Sequence, residues 1–259
     1  MKHHPGRKRI EASFSAKAAR YDDHAAVQKA AARRISALIG GGEGRGAPWA
    51  DLGCGTGMIH GLEAGRTRRS GPLVGVDLSP EMLARFRRTV DGGLPVRADV
   101  EALPLRDSCL GAAIMSLVLQ WTSDPARAVR EAARCLRPRG LLYFSALLEG
   151  TLGDLYDLAR ERGRAAPASF FGREEFLSLL GGAGLDVLSA EVGEEVQRFA
   201  SARDALGSLS AVGATATGDR PMTRAEIRDF CGEYERRTRT AEGVPLRWIL
   251  VTGHARKRD

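Results

Sequence analysis

The chain is poor in cysteine and has no long hydrophobic run. Its four cysteines form no C-x-x-C pair, and their spacing matches no zinc or disulfide framework, which indicates reduced thiols in a cytoplasm. No segment approaches the roughly 18 to 20 consecutive apolar residues that span a bilayer. Residues 1–10 are basic, but no apolar segment follows them, so they are not a signal peptide. These absences predict a cytoplasmic protein without a membrane partner.

Lysine is also scarce, since only five of the 39 basic residues are lysines. Base composition of the genome explains that scarcity without any function, whereas the formal net charge of +7 also suits a surface that attracts an acidic partner. The basic residues are spread along the chain and are not interleaved with aromatic residues, so nucleic-acid binding is not predicted. His, Cys and carboxylate residues nowhere cluster at ligand spacing, so no metal site is predicted.

From residue 47 onward, short apolar runs alternate with helical patterns. This alternation favours an α/β fold with a parallel sheet and helices on both faces. The predicted strands span residues 47–52, 73–78, 94–98, 110–119, 141–147, 185–192 and 247–254. The predicted helices span residues 11–39, 58–63, 125–136, 152–162, 173–183, 202–212 and 224–239, with a further helix that begins at Ser79 and Pro80.

The segment D-L-G-C-G-T-G at residues 51–57 carries the strongest chemical signal. It follows a predicted strand, and glycine lets the backbone bend sharply and approach a ligand closely. Open α/β sheets bind nucleotides at such a turn, beyond the carboxyl end of a central strand. The segment resembles motif I of the class I S-adenosylmethionine-dependent methyltransferases. The resemblance implies S-adenosylmethionine as the cofactor and assigns to its binding Asp51, Gly53, Cys54, Gly55 and Gly57.

Three further features occur in register with this motif. Asp77 ends the second predicted strand, where a carboxylate accepts hydrogen bonds from both ribose hydroxyls. Asp99 and Val100 resemble the pair that contacts adenine in this class, and residues 116–121 correspond to the segment beside the methionine part of the cofactor. Each acid alone is more often a helix cap or a surface charge, but all the features together favour a cofactor site. The resemblance therefore adds the cofactor-binding residues Asp77, Leu78, Met82, Asp99, Val100, Ser116, Leu117, Gln120 and Trp121.

A dinucleotide-binding dehydrogenase is the main competitor among proteins of this fold. Its fingerprint, G-x-G-x-x-G, places a third glycine where the helix packs on the strand. Here Gly55 and Gly57 are followed by His60 at the third position. The spacing therefore favours methyl transfer over hydride transfer.

The flanking segments narrow the resemblance. Residues 14–28 look like the opening of the biotin-pathway malonyl-acyl carrier protein O-methyltransferases, in which a phenylalanine, a tyrosine, a histidine and a glutamine recur at this spacing. Similar matches to that family occur at residues 116–121, 150–155, 213–215, 222–224 and 244–246. The chain departs from the family at Arg247 and Trp248, where relatives often have an aromatic and a polar residue.

The resemblance implies methyl transfer from S-adenosylmethionine to the free carboxylate of a malonyl thioester on acyl carrier protein. It assigns catalytic roles to Tyr21 and His24 and substrate binding to Phe14 and Gln28. A carboxylate with a pKa of about 4 is already ionised at neutral pH, so we expect positioning residues rather than an acid–base pair. An arginine is the natural clamp for that carboxylate. The candidate clamps are Arg220 and Arg247.

The expected architecture is a Rossmann-like, seven-stranded methyltransferase sheet with helices on both faces and a helical insertion after strand five. Its segments are a flexible basic tail (1–10), an N-terminal helical lid (11–40), a cofactor-binding core (47–150), and substrate-side helices with the closing strands (151–259). We expect a monomer or a weak dimer. Acyl carrier protein is generally acidic, and the candidate docking residues are Arg160, Arg162 and Arg164, or Arg236, Arg237 and Arg239.

Two other functions fit the same cofactor motifs. One is methyl transfer to a different small acid or to a natural-product carboxyl or hydroxyl group. The other is a protein arginine hydroxylase or a respiratory-complex assembly factor of the same fold. In that group the segment after strand four is more like Leu-His-Trp, so Gln120 argues mildly against it.

Overall fold

The computed structural model describes residues 6–39, 46–62, 71–164, 170–211 and 222–259. Seven strands form one sheet in the order β3-β2-β1-β4-β5-β7-β6, parallel except for β7, which is antiparallel to both of its neighbours. The strands are β1 (Trp49–Leu52), β2 (Leu73–Asp77), β3 (Leu94–Arg97), β4 (Leu110–Ser116), β5 (Leu136–Leu147), β6 (Leu185–Phe199) and β7 (Val244–Lys257). This order confirms the predicted fold class.

Helices cover both faces of the sheet, as is usual for parallel sheets. The central strands β1 and β4 are therefore buried almost throughout. The described α-helices are α1 (Arg7–Lys17), α2 (Tyr21–His24), α3 (Ala26–Leu38), α4 (Met58–Leu62), α5 (Pro80–Thr89), α6 (Pro125–Cys135), α7 (Gly153–Glu161), α8 (Arg173–Gly182), α9 (Ala202–Ala211) and α10 (Arg224–Thr238). Ser79 caps α5 as predicted, because its hydroxyl accepts a hydrogen bond from the Met82 N–H at 3.1 Å. None of these helices is long and apolar enough to cross a membrane.

Three apolar clusters make up the core. One packs α6 and α8 on a face of the sheet, and a second packs α3, α4 and α5 on the opposite face. A third joins α7, α9 and α10 to the ends of β5 and β7. Helices α7, α9 and α10 are therefore packed on the sheet by a separate cluster, whereas α8 belongs to the first one.

The prediction of a helix over residues 11–39 holds for most of that range, but the helix is interrupted and its start differs. The helix starts four residues earlier, at Arg7, and the buried Ile10 belongs to it rather than to a tail. A 3-10 turn (Ala18–Arg20), the short α2 and a non-helical Ala25 then interrupt the path. The alanine-rich composition favours a helix, but tertiary contacts override such a weak preference. We call residues 6–39 the lid.

Several strand limits differ from those predicted. β4 ends at Ser116, because Leu117 takes φ +50° and residues 119–121 form a 3-10 turn. β5 begins at Leu136, before the predicted limit of residue 141, and bulges over residues 138–140, where its register with β4 shifts. β6 and β7 extend far beyond the predicted limits because each pairs with the other along almost its whole length.

Candidate functional site

A pocket opens at the carboxyl ends of β1, β2 and β4, with α1 on one side of it. Its empty space, including the open mouth, is about 820 Å³. Predicted site residues that line it are Phe14, Tyr21, Gln28, Gly53, Gly55, Asp77, Leu78, Met82, Asp99, Val100, Ser116, Leu117 and Trp121. Other lining residues are Arg7, Ile10, Glu11, Ser79, Ala98, Glu101, Val118 and Thr122.

The three positions after β1 that hold glycine require it for different structural reasons. A Cβ on Gly53 would lie 2.6 Å from Val118 Cγ2, and a Cβ on Gly57 would lie 2.8 Å from Val90 Cγ2. Those two positions therefore let the segment after β4 and the end of α5 approach the loop. Gly55 is different, because it has φ +51°, lines the pocket, and an added Cβ would meet no described atom within 4 Å. Gly55 thus leaves the space that a bound ligand can fill.

Asp77 has the geometry of a ribose acceptor. One carboxylate oxygen accepts the Gly55 N–H and the other accepts the Ser79 N–H, both at 2.9 Å. Each oxygen keeps a lone pair, and the side chain faces the pocket. Burial raises the pKa of Asp77, although the two backbone hydrogen bonds oppose that shift. The chain therefore positions the carboxylate rigidly before any ligand arrives.

At the Asp99 end, the pocket contains a carboxylate pair and an arginine from the lid. Arg7 Nε lies 2.6 Å from Asp99 Oδ2, and Arg7 Nη2 lies 3.5 Å from Glu101 Oε2. Burial acts to raise the pKa of Glu101, but hydrogen bonds from Ser123 and the charge of Arg7 outweigh it and lower that pKa. Arg7 is the only cation among the described lining residues, and it is already paired.

Aromatic rings join the lid to the segment after β4. Phe14 packs edge-on against Trp121, with ring centroids 5.1 Å apart, and its ring lies 6.1 Å from that of Tyr21. Leu117, which follows β4, lines the pocket in a left-handed conformation that is strained for a leucine. This end of the pocket is consequently apolar, and lid and sheet both contribute to it.

Tyr21 and Gln28 supply the polar groups of the lid in that region. Both side chains line the pocket, and the polar Gln28 side chain acts to lower the pKa of the Tyr21 phenol. Burial raises the pKa of Tyr21, and the nearby carboxylates of Asp77 and Asp22 raise it further. The phenol therefore remains protonated, and so able to donate a hydrogen bond, throughout the physiological pH range.

Polar contacts at successive turns hold the lid on the core. Arg97 Nη2 donates to Glu11 at 2.5 Å, and the Ser15 hydroxyl lies 3.0 Å from that of the buried Ser79. The Thr56 hydroxyl donates to Asp22 at 2.8 Å, which ties α2 directly to the glycine loop. Since residues 7, 11 and 15 recur every fourth position, they form one face of α1.

Four predicted cofactor residues do not line the pocket. Asp51 is buried, and its Oδ2 lies 2.9 Å from Nε2 of His60, behind the glycine loop. Burial raises the pKa of the Cys54 thiol, so this cysteine is an inert packing residue. Gly57 packs against α5, and the buried Oε1 of Gln120 has no hydrogen-bond partner in the described ranges. These four residues lie outside the pocket lining, and their predicted roles in cofactor binding stay predictions.

Two predicted substrate-side residues also lie outside the pocket lining. His24 ends α2 and is partly buried, but the pocket is lined by Tyr21 of that helix and not by His24. Arg247 is about half exposed on β7, where it pairs with Glu194 at 3.4 Å and with Asp154 at 4.0 Å. The predicted roles of both residues thus lack geometric support. The second candidate clamp, Arg220, lies outside the described residues.

The predicted docking arginines are mostly ion-paired. Arg160 bonds to Asp157 at 2.8 Å, and Arg239 bonds to Glu235 at 2.8 Å. Arg237 bridges Glu161 and Glu233, and Arg236 also contacts Glu233. Arg162 lies over the Phe230 ring. Internal acids therefore neutralise much of the charge that these arginines would offer to a partner.

Sequence reasoning missed Arg7 and Glu101 because their role depends on how α1 crosses the pocket. A weak signal was available, since Glu101 lies two residues after Asp99. For Arg7, the only signal was its spacing of four and eight residues before Glu11 and Ser15.

Comparison with known proteins gives the class. A model of the methyltransferase domain family matches residues 50–144. The crystal structure of a candidate methyltransferase from Bacillus halodurans has a TM-score of 0.65 at 17% identity, and the match covers 89% of this chain and all of that one. A geranyl diphosphate methyltransferase in complex with S-adenosylmethionine has a TM-score of 0.55 at 15% identity, covering 89% and 85%. The chain belongs to the class I S-adenosylmethionine-dependent methyltransferases, and its cofactor is S-adenosylmethionine.

Within that class, one group of relatives matches almost the whole chain. A protein from Dechloromonas aromatica is 33% identical over 98% of this chain and 95% of its own length, and it is named malonyl-[acyl-carrier protein] O-methyltransferase.

The residues present fit this cofactor. Asp77 offers one free lone pair on each oxygen to the ribose hydroxyls, and Gly55 leaves the adjacent space open. Asp99 and Val100 line the same pocket, where they would meet the adenine ring. Among the residues described, no group of three or more His, Cys, Asp or Glu side chains could hold a metal ion.

We expect Gly55→Ala to weaken S-adenosylmethionine binding about 10-fold, because the added methyl group enters ligand space and alanine is strained at positive φ by about 1 kcal/mol. Gly92→Ala is the matched control: Gly92 also has positive φ, +66°, and no described atom near its Cβ, but it lies outside the pocket lining. Calorimetric titration and thermal unfolding of both variants separate binding from strain. Equal losses of affinity in the two variants would show that backbone strain alone is responsible.

Proposed function

We propose that this enzyme transfers the methyl group of S-adenosylmethionine to the free carboxylate of a malonyl thioester carried by acyl carrier protein. The observation that carries the proposal is that the lid places the side chains of Tyr21 and Gln28 together in the lining of the cofactor pocket. Both residues belong to the lid segment that resembles the family. Near-full-length similarity to proteins named for this activity supports the same assignment.

Positioning rather than proton transfer accounts for the chemistry. Bound S-adenosylmethionine supplies an electrophilic methyl group on a positively charged sulfur. The acceptor carboxylate is already ionised, so the chain needs no base to activate it. The protonated Tyr21 hydroxyl and the Gln28 amide can donate hydrogen bonds that fix one carboxylate oxygen and leave the other free to react. Such alignment contributes several kcal/mol, up to roughly 7 to 11 in ideal cases.

Two neutral donors suit this reaction better than an arginine clamp. A guanidinium bound to the carboxylate would stabilise its negative charge, which disappears as the ester forms. Arg7, the only described cation in the lining, is occupied by Asp99 and Glu101. Tyr21 and Gln28 can orient the carboxylate without stabilising the reactant more than the transition state.

The apolar surroundings also serve the transfer. Phe14, Leu117 and Trp121 line the pocket near the lid and limit the access of water to a reactive carboxylate. The product ester has lost its charge, so an apolar site of a chain-elongating enzyme can accept it at lower desolvation cost. A cytoplasmic location belongs to the same proposal, since all four cysteines are free thiols.

A panel of acceptors tests the proposal against another small-acid substrate. Malonyl-, succinyl- and acetyl-carrier protein, malonyl-CoA and free malonate are each incubated with radiolabelled S-adenosylmethionine. We expect the highest kcat/KM for malonyl-carrier protein and no transfer to acetyl-carrier protein, which lacks the free carboxylate. Preference for free malonate, or for an unrelated acid added to the panel, would contradict the proposal.

A further inference from the structure

The lid carries most of the excess positive charge of the chain. Its residues, 6–39, include eight basic and three acidic side chains, a net charge of +5 against +7 for all 259 residues. Two of the three acids turn inward, since Glu11 bonds to Arg97 and Asp22 bonds to Thr56. Arg7 and Arg34 are likewise paired with acids of the core, so the remaining six basic side chains and one acidic side chain of the lid keep the net charge of +5.

Five cations form what we call the lid patch: Lys8, Arg9, Arg20, Arg87 and Arg88. The first three belong to the lid, and the last two lie on α5, which packs against α1. All five are exposed, and none has an ion-pair partner in the described part of the chain. Since no internal acid neutralises them, their charge is available to a partner.

The lid patch also lies beside the pocket. Ile10 and Phe14 on the inner side of α1 line the pocket, whereas Lys8 and Arg9 of the same helix are exposed to solvent. An acyl group attached to a carrier protein reaches its enzyme on a flexible arm of limited length. The carrier must therefore dock close to the mouth, and α1 forms part of that mouth.

Building on the proposed function, we propose that the acidic carrier protein docks on the lid patch, through Lys8, Arg9 and Arg20 above all. The arginines of α7 and α10 are less suitable, because acids of the same helices pair with most of them. Docking on the lid also places the partner on the element that holds Tyr21 and Gln28. The surface that selects the carrier and the residues that position its acyl group thus share one segment.

Charge reversal tests this location. The triple variant Lys8→Glu/Arg9→Glu/Arg20→Glu is compared with Arg203→Glu/Arg224→Glu/Arg228→Glu. The control changes three exposed arginines on α9 and α10 that also have no ion pair among the described residues, and it alters the net charge equally. KM is measured at low salt with malonyl-carrier protein and with malonyl-pantetheine, a small thioester without the carrier.

We expect the lid variant to raise KM for malonyl-carrier protein about 10-fold or more, since charges at an interface act mainly on association. The control should change KM less than threefold, and both variants should process malonyl-pantetheine like the wild type. Raising the ionic strength should reduce the difference in KM between the lid variant and the wild type, because charges are then screened over a Debye length of roughly 8 to 10 Å. If the charge reversal impairs folding, the milder Lys8→Gln/Arg9→Gln/Arg20→Gln variant replaces it. We expect that variant to raise KM by a smaller factor.

Three results would overturn the location. Equal effects of the lid and control variants would indicate attraction by net charge alone. Equal losses with malonyl-carrier protein and malonyl-pantetheine would indicate a role of the lid cations in closing the pocket. An unchanged KM would place the carrier elsewhere. Failure of the wild type to methylate either thioester is a separate result, because it contradicts the proposed function itself.

Discussion

Asp77→Ala is expected to weaken S-adenosylmethionine binding at least 100-fold, because two hydrogen bonds from the ribose to a charged acceptor are lost, each worth about 1.5 to 3 kcal/mol. The loss also releases the Gly55 N–H, which Asp77 Oδ2 accepts at 2.9 Å. Isothermal titration with the cofactor and with its demethylated product measures the effect. Asp91→Ala is the control, since Asp91 is an exposed residue just after α5 and outside the pocket lining.

The same carboxylate predicts a pH dependence. Burial raises the pKa of Asp77 in the free protein, whereas hydroxyl donors of the ribose favour its ionised form. Cofactor affinity should therefore fall as the pH decreases through that raised pKa and stay constant above it. Asp77→Asn should remove this dependence while binding weakly at all pH values. Affinity within threefold of the wild type in Asp77→Ala would contradict the assignment of Asp77 to the ribose.

The second large effect is expected from Tyr21→Phe, which should lower kcat with malonyl-carrier protein by about 10- to 100-fold, the equivalent of one hydrogen bond to a charged group. Cofactor affinity should change less than threefold, because the phenyl ring keeps its packing against Phe14. Tyr156→Phe is the matched control, a buried tyrosine of α7 that packs on Phe170 away from the pocket.

Steady-state kinetics and titration of both variants separate the two possible roles of Tyr21. A lower kcat with unchanged cofactor affinity means that the hydroxyl orients the acceptor. Weaker cofactor binding with an unchanged kcat would mean that Tyr21 only closes the cofactor pocket. Gln28→Ala should resemble Tyr21→Phe, because Gln28 lines the same pocket and its amide is the second proposed donor to the acceptor carboxylate.

Local sequence patterns were sufficient to predict the sheet and which residues come together at the cofactor end of the pocket. The glycine loop, Asp77 and Asp99 follow β1, β2 and β3, and the carboxyl ends of parallel strands meet at one edge of a sheet, so this meeting can be predicted from sequence. The three glycines looked equivalent in the sequence. Only the fold distinguishes Gly53 and Gly57, which make room for Val118 and Val90, from Gly55, which faces the pocket.

Features that depend on tertiary contacts were not predictable. The lid reads as one alanine-rich helix, whereas the structure interrupts it at a 3-10 turn and at Ala25. The resemblance assigned catalytic roles to both Tyr21 and His24, but only Tyr21 lines the pocket. Arg7 lay in a predicted tail, whereas the structure pairs it with Asp99.

Intact-mass spectrometry of malonyl-carrier protein after incubation with enzyme and S-adenosylmethionine tests the central claim most directly. We expect a gain of about 14 Da on the malonyl form, since methylation adds a CH₂ group. We expect no gain on acetyl-carrier protein, because its acyl group offers no ionised carboxylate. Release of the added mass by mild ester hydrolysis places it on the carboxylate. If the malonyl form stays unchanged while another acid or a protein arginine is methylated in the same reaction, methyl transfer to the malonyl carboxylate is contradicted.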